Sequence, residues 1–229
     1  MRRPSLLVAV LALDTTSGSS GGGLTVGRSS SGGLPIVSVN GSFPMGVWLQ
    51  APRLAQRYRD ETGVNLFIGG ELSSADLANY QQAGMPFINT QTEFALKNLQ
   101  EKLMFGYNQM DEPDNAQADP KNPGKYLPCV DPAVTQALYK KWKAADPTRP
   151  VFQGLGQGCA FTDYVGRGAC RNKTAMYAEY AKAADIVSFD IYPTNAEEPE
   201  VKDKLWLPVS LQPSYRLIAF RFPPTTQEL

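Results

Sequence analysis

Two adjacent carboxylates, Asp111 and Glu112, stand against Pro113 at the end of the run Gly106-Tyr-Asn-Gln-Met-Asp-Glu-Pro-Asp114. The residue before a proline is driven toward extended backbone, so Glu112 is expected to keep strand geometry while Pro113 ends the hydrogen-bond ladder and opens a loop. An acid is thereby presented at a strand tip, where it can give or take a proton. The plainer reading is an acidic loop start in which Asp114 turns the chain. The chain contains no histidine, which excludes a histidine general base, a Ser-His-Asp triad and a histidine-ligated metal within it. Acid–base work falls to carboxylates.

The elements that must position these acids follow from the alternation of short extended runs and longer amphipathic ones after Phe43, the pattern of repeated strand–helix units. Strands are expected at Phe43–Gln50, Asn65–Gly69, Met85–Thr90, Met104–Asp111, Pro150–Leu155 and Asp185–Tyr192. Helices are expected at Arg53–Thr62, Ser74–Ala83, Glu93–Leu103, Pro132–Ala145 and Thr174–Ala184. Ser74 suits a helix N-cap, Gly63 and Gly84 suit the position after a helix end, and Asp131 precedes Pro132 at a first helical turn.

Successive strand residues point to opposite faces of a sheet. In the first strand Phe43, Met45, Val47 and Leu49 are expected against the helices, and Trp48 and Gln50 toward the inside of a barrel. In the sixth, Val187, Phe189 and Ile191 face the helices and Ser188, Asp190 and Tyr192 face inward. The same count turns Phe67 and Glu71, Asn89 and Gln91, and Asn108, Met110 and Glu112 inward, and a bulge would shift any of these by one residue. An inward set of amides, acids and aromatic rings suits a hydroxyl-dense ligand such as a sugar better than a phosphate or a lipid. A hydrogen-bonded polar plug is the structural alternative.

Composition narrows the partners. The chain has 229 residues, 42% of them hydrophobic, with 22 basic and 22 acidic side chains, which suits one large globular domain and supplies no global basic field for nucleic acid or anionic lipid. The start, Met-Arg-Arg-Pro-Ser followed by the apolar run Leu6–Leu13, has the order of a secretory signal in residues 1–13 and is too short to span a bilayer. A secreted or periplasmic location follows. Residues 14–33 are Ser/Gly-rich and read as a flexible linker, so folded structure is expected from about Leu34. Cysteines stand at 129, 159 and 170; the close spacing of Cys159 and Cys170 makes them the expected disulfide in an exported protein. Sequons occur at Asn40-Gly-Ser42 and Asn172-Lys-Thr174. The run Gly154-Leu-Gly156-Gln-Gly158 lacks dinucleotide spacing and any Gly-Lys-Ser/Thr ending, and its glycines are expected to let a long loop fold over a barrel mouth.

Six landmarks carry a family likeness: Phe43-Pro-Met-Gly-Val-Trp48, Gly63-Val-Asn-Leu-Phe67, Ala83-Gly-Met-Pro86, Asp111-Glu-Pro-Asp114, Asp146-Pro-Thr-Arg-Pro150 and Asp185-Ile-Val-Ser-Phe-Asp-Ile-Tyr-Pro193. In order and spacing they resemble a clan A glycoside hydrolase across roughly residues 40 to 207. The resemblance implies a (β/α)8 TIM barrel with active-site residues at the C-terminal ends of its strands. It also implies that Glu112, at the end of the fourth strand, is the general acid/base of a retaining reaction. Asp111 stands where that family usually has asparagine. Trp48, Gln50, Asn89, Gln91, Asp111, Asp190 and Tyr192 are the implied substrate-binding set, for an oligo- or polysaccharide. No cofactor or metal is implied.

A retaining mechanism needs a second carboxylate about 5 to 5.5 Å from the first. The segment that follows Pro193, with its acids at Glu197–Glu200 and the run Val201–Trp206, reads as the approach to a sixth helix, and residues 208–229 lose the alternation. About six β/α units are present where the family's barrel has eight, so the chain is expected to be a truncated or frame-shifted stretch, residues 34–207 forming a partial barrel without the nucleophile and inactive alone. Two other classes compete: a non-catalytic carbohydrate-binding protein using the same mouth, and a cation-binding module on Asp111, Glu112 and Asp114, against which the missing calcium-loop spacing argues.

Overall fold

The structure is a computed structural model describing residues 6–7, 24–27, 36–39, 42–156 and 174–190. Six parallel strands form a curled half-barrel in a mixed α/β arrangement: β4 (Gly46–Trp48), β5 (Leu66–Glu71), β6 (Phe87–Thr90), β7 (Met104–Asn108), β10 (Val151–Gly156) and β11 (Ile186–Asp190). Each pairs with its sequence neighbour in that order, and each overlaps one of the six expected strands. Helices fill the connections: α1 (Ala55–Thr62), α2 (Ser74–Ala83), α3 (Glu93–Lys97), α4 (Pro132–Ala145) and the short α5 (Tyr177–Tyr180) within single turns of 3-10 helix. α2 and α4 have the bounds that periodicity predicts; α3 stops at Lys97 instead of Leu103.

Local chemistry explains the helix ends. The α2 cap is Ser73, one residue before the expected Ser74: its hydroxyl accepts from the Asp76 N–H while the Asp76 carboxylate accepts from the Ser73 N–H, a reciprocal box that satisfies two orphan donors. Asp131 caps α4 with Pro132 at its first turn, and Gly63 and Gly84 follow α1 and α2 in the left-handed conformation.

Two apolar layers hold the sheet. On its helix side Val47, Phe67, Phe87, Tyr107 and Val151 pack with Ala55, Tyr80, Ala83, Ala95 and Trp142, with Tyr80 stacked on Phe87 at 4.4 Å between ring centroids. On the inner side Leu66, Ile68, Ile88, Phe105, Phe152 and Ile186 form a second cluster to which Trp48 adds its ring. Val39, at 2% exposure, completes it. That residue ends an antiparallel pair of β2 (Leu24–Gly27) and β3 (Ile36–Val39), of which β2 lies within residues 14–33. β1 (Leu6–Leu7), within the stretch read as a secretory signal, pairs antiparallel with β4. A further small hairpin, β8 (Gln117–Ala118) with β9 (Tyr126–Leu127), rises from the loop after β7.

Below the strands' N-terminal ends, Asp146 and Arg149 lock the turn between α4 and β10. Asp146 accepts from the Tyr107 hydroxyl at 2.7 Å, from Arg149 Nη1 at 3.0 Å and from the Thr148 N–H at 2.9 Å. Arg149 also donates to the carbonyls of Met104, Leu99 and Glu101, joining the entry of β7 to that turn. Burial opposes the Asp146 charge, but bonds from Thr148, Tyr107 and Arg149 outweigh it and bring its pKa down to about 2.

Candidate active site

The C-terminal ends of β7 and β10 meet at Glu112. β7 ends at Asn108, three residues short of the expected Asp111, because the chain leaves the ladder: Gln109 still donates its N–H to the Phe152 carbonyl, but its side chain turns to the helices, giving Nε2 to the Ala183 carbonyl at 2.6 Å. Glu112 is left-handed, with φ 39°, and not extended as the following proline predicts. Its geometry is over-determined. The Glu112 N–H reaches the Gly154 carbonyl at 3.2 Å, and the Glu112 carbonyl accepts from the Asn115 N–H at 3.0 Å and from Gln117 Nε2 at 3.1 Å. A non-glycine residue held there costs on the order of 1–3 kcal/mol, and such strain gathers at functional sites. Among the described residues the other non-glycine with positive φ is Leu49, at 48°, also past the end of a strand.

The Glu112 side chain is half-buried, and its Oε2 accepts from Asn115 Nδ2 at 2.9 Å. Asp111 is exposed, with Oδ1 4.0 Å from where a Cβ at Gly154 would stand. It therefore leans over the inner face of β10, beyond the Phe152 ring. Asp114 is buried: both of its oxygens accept from the Gly156 N–H, at 2.9 and 3.0 Å, and Oδ2 accepts from the Tyr177 hydroxyl at 2.8 Å. Asp114 is thus the bolt between the β7 loop, β10 and α5, a larger part than turning the chain. Asn115, Gln117 and Tyr177 were missed by sequence reasoning. A buried amide or acid within five residues of a strand-end glutamate was the available signal for the first two.

The other expected site residues divide between the two faces. Trp48 turns inward as alternation predicts, and Asn108 and Ser188 do too, their Oδ1 and Oγ buried without a partner. Gln50 does not. The left-handed Leu49 breaks the alternation, and Gln50 Oε1 accepts from the Tyr58 hydroxyl of α1 at 2.9 Å. Asn89 and Gln91 also lie on the helix side. Asn89 shares the face of Phe87 and gives Nδ2 to the Gly69 carbonyl at 3.1 Å, while Gln91 Nε2 binds the Trp142 carbonyl of α4 at 3.1 Å.

The inward expectation for Asn89 and Gln91 failed because Phe87 stacks on Tyr80, and that ring fixes the phase of the strand. Phe67 likewise packs outward, against Tyr58 and Tyr80, and Glu71 is exposed beyond the positive-φ pair Gly69 and Gly70. Phe43, Met45 and Leu49, expected under helices, are 60%, 40% and 55% exposed. The backbone of Asp190 pairs with Gly156. The Asp190 side chain, Tyr192, both sequons' asparagines, Gly158 and the acids Glu197–Glu200 lie outside the described residues.

Cys129 is disulfide-bonded. Cys159 and Cys170, the expected pair, lie outside the described residues. Among the described residues no group of three or more His, Cys, Asp or Glu could hold a metal ion, and no helix is long and apolar enough to cross a membrane.

The chain matches no protein-family profile and no curated protein. Among solved structures it is similar to a glycosyl hydrolase family 2 member from Bacteroides cellulosilyticus DSM 14838, at 14% identity and a TM-score of 0.42, over 76% of this chain and 25% of that one. The chain thus spans about a quarter of that protein's length.

Proposed function

We propose that the chain is the strand-β4-to-β11 part of a (β/α)8 glycoside hydrolase of clan A type, acting on an oligo- or polysaccharide, with Glu112 as its acid/base. The observation that carries this reading is Glu112 itself: a carboxylate at the C-terminal rim of parallel strands, pinned in a strained backbone by β10 and by Asn115. In the proposed step the bond from the anomeric carbon to the leaving oxygen breaks, its electron pair stays on that oxygen, and the Glu112 proton goes with it to give an alcohol. A second carboxylate then carries the glycosyl group until water replaces it. Asp114 braces the loop through the Gly156 N–H and the Tyr177 hydroxyl, and the part in the chemistry is given to Glu112. Trp48 supplies an apolar face inside the mouth and Asp111 a polar one at its edge.

The test is turnover of 4-nitrophenyl glycosides and reduced oligosaccharides by a full-length hydrolase that contains this stretch together with its nucleophile, and by its Glu112→Gln variant. General acid catalysis contributes roughly 100- to 10,000-fold. The variant is expected to lose that much on oligosaccharides and less on the nitrophenolates, which leave without a proton. Binding of oligosaccharides without turnover in the full-length protein would favour the carbohydrate-binding alternative. Export to an oxidising compartment is part of the proposal, supported by the Cys129 disulfide and the basic-then-apolar start. N-terminal sequencing of protein from the host's culture medium tests it, because an intact Met1 there speaks against cleavage of a signal.

A further inference from the structure

The hydrogen bonds from β7 to β10 climb in equal steps and then skip. The Tyr107 N–H goes to the Pro150 carbonyl and the Gln109 N–H to the Phe152 carbonyl, two residues along on each side. The next carbonyl, Gly154, is reached by the Glu112 N–H at 3.2 Å, where an equal step would bring Asp111. Three residues leaving β7 thus span two of β10, the one-residue excess of a bulge, which re-aims side chains. A bulge takes backbone groups off the ladder, and a side chain of β10 takes up one of them: Gln153 Nε2 donates to the Met110 carbonyl at 2.6 Å and to the Gly154 carbonyl at 2.9 Å. One amide therefore holds both sides of the skipped step.

Gln153 is fully buried between Val151 and Leu155 on the helix side of β10, and its Oε1 has no hydrogen-bond partner. A buried acceptor left unsatisfied is costly, and an apolar side chain of the same length would avoid it. Turning the amide over would set Oε1 against two carbonyl oxygens, so its orientation follows from its neighbours. We infer that Gln153 is a positioning residue that holds the bulge and thereby puts Glu112 in place of Asp111 on the Gly154 rung. This deepens the reading of Glu112 as proton donor and rests on that reading for its consequence in catalysis. The two acids are adjacent, so a slip of one residue exchanges them. With equal steps the Asp111 N–H would meet the Gly154 carbonyl, and Glu112 would relax to the extended backbone that Pro113 favours. The left-handed Glu112 is the strained alternative, and the Gln153 amide tips the balance toward it.

The experiment is backbone NMR on the isotope-labelled full chain. In the parent, coupling across the hydrogen bond to the Gly154 carbonyl carbon is expected from the Glu112 nitrogen, and the Glu112 amide coupling and carbon shifts are expected to report left-handed backbone. The Gln153 side-chain protons are expected to exchange far more slowly than those of an exposed glutamine. Gln153→Met keeps the length and removes the donor; it is expected to move the coupling to the Asp111 nitrogen and the Glu112 shifts to extended values. Gln153→Leu serves where that variant does not fold, and the parent's own signals decide where neither does: freely exchanging Gln153 protons overturn the inference. In a full-length hydrolase that contains this stretch together with its nucleophile, Gln153→Met is expected to lower kcat on oligosaccharides by about 100-fold with little change in KM, and to lower it less on 4-nitrophenyl glycosides, which need no proton. Equal losses on both substrates overturn the positioning role. A backbone that switches supports the inference even where no glycoside is turned over, in which case only the hydrolase reading falls. A backbone that stays left-handed in the folded variant overturns the inference even where Glu112→Gln abolishes turnover, a result that leaves the hydrolase reading standing.

Discussion

Replacing Asp146 by asparagine removes one charge from the lock beneath the half-barrel and keeps its shape. The carboxylate is 2% exposed and its pKa stands at about 2, against 3.8 for the unperturbed group. A depression of that size corresponds to roughly 2–3 kcal/mol of folding stability at neutral pH. Because the folded pKa is lowered, this contribution is fully present above the unfolded value of 3.8 and is lost as pH falls through about 2. Asp146→Asn also leaves Arg149, whose side chain is only 13% exposed, without its ionic partner, which adds to the deficit. Urea unfolding of both proteins, at matched pH values from neutral to about 2, is the assay. Stability is expected to differ by roughly 2–4 kcal/mol at neutral pH with equal m-values, and the gap should close as the medium approaches the folded pKa. A gap that stays constant down to acid pH would refute the electrostatic account and leave only lost hydrogen-bond geometry.

Three further substitutions probe the frame that carries Glu112. Ser73→Ala removes the hydroxyl half of the α2 capping box and is expected to cost about 1 kcal/mol in denaturant unfolding, with Ser74→Ala close to neutral, since Ser73 and not Ser74 caps the helix. Gly106→Ala would place a methyl 2.7 Å from the Pro150 carbonyl, a backbone atom that cannot move aside, so it should destabilise the protein by about 1–3 kcal/mol and shift amide signals in both β7 and β10. Cys129→Ser, compared with the oxidised parent, should lower stability by about 2–4 kcal/mol, and the same loss should follow reduction of the parent. Equal melting of parent and variant under oxidising conditions would show that the bond contributes nothing.

Asp131 before Pro132, the glycines at 63 and 84, and the periodicity of residues 74–83 and 132–145 were enough to place the helices, because a helix is decided by hydrogen bonds and contacts within a few residues. The six strands were legible for a related reason: runs such as Leu66–Ile68 and Ile186–Ser188 must be extended to bury their side chains on both faces. Which face each residue took was only partly local. Val47, Trp48, Val187 and Ser188 obeyed simple alternation, whereas Asn89 and Gln91 followed the ring of Phe87 to the helix side. The register shifts between Ile68 and Glu71 and between Phe87 and Ile88 exist only in the pairing of one strand with the next.

The placement of an acid pair after β7 was written in the sequence, through proline and the length of the preceding run. The tertiary structure alone decided that Glu112 is left-handed, that Asp114 is buried as a bolt, and that Asn115 holds the glutamate. Each of those depends on Gly154, Gly156 or Tyr177, about 40 to 65 residues further along the chain. The proline's preference for extended backbone before it amounts to a small local energy, and several hydrogen bonds anchored on another strand exceed it.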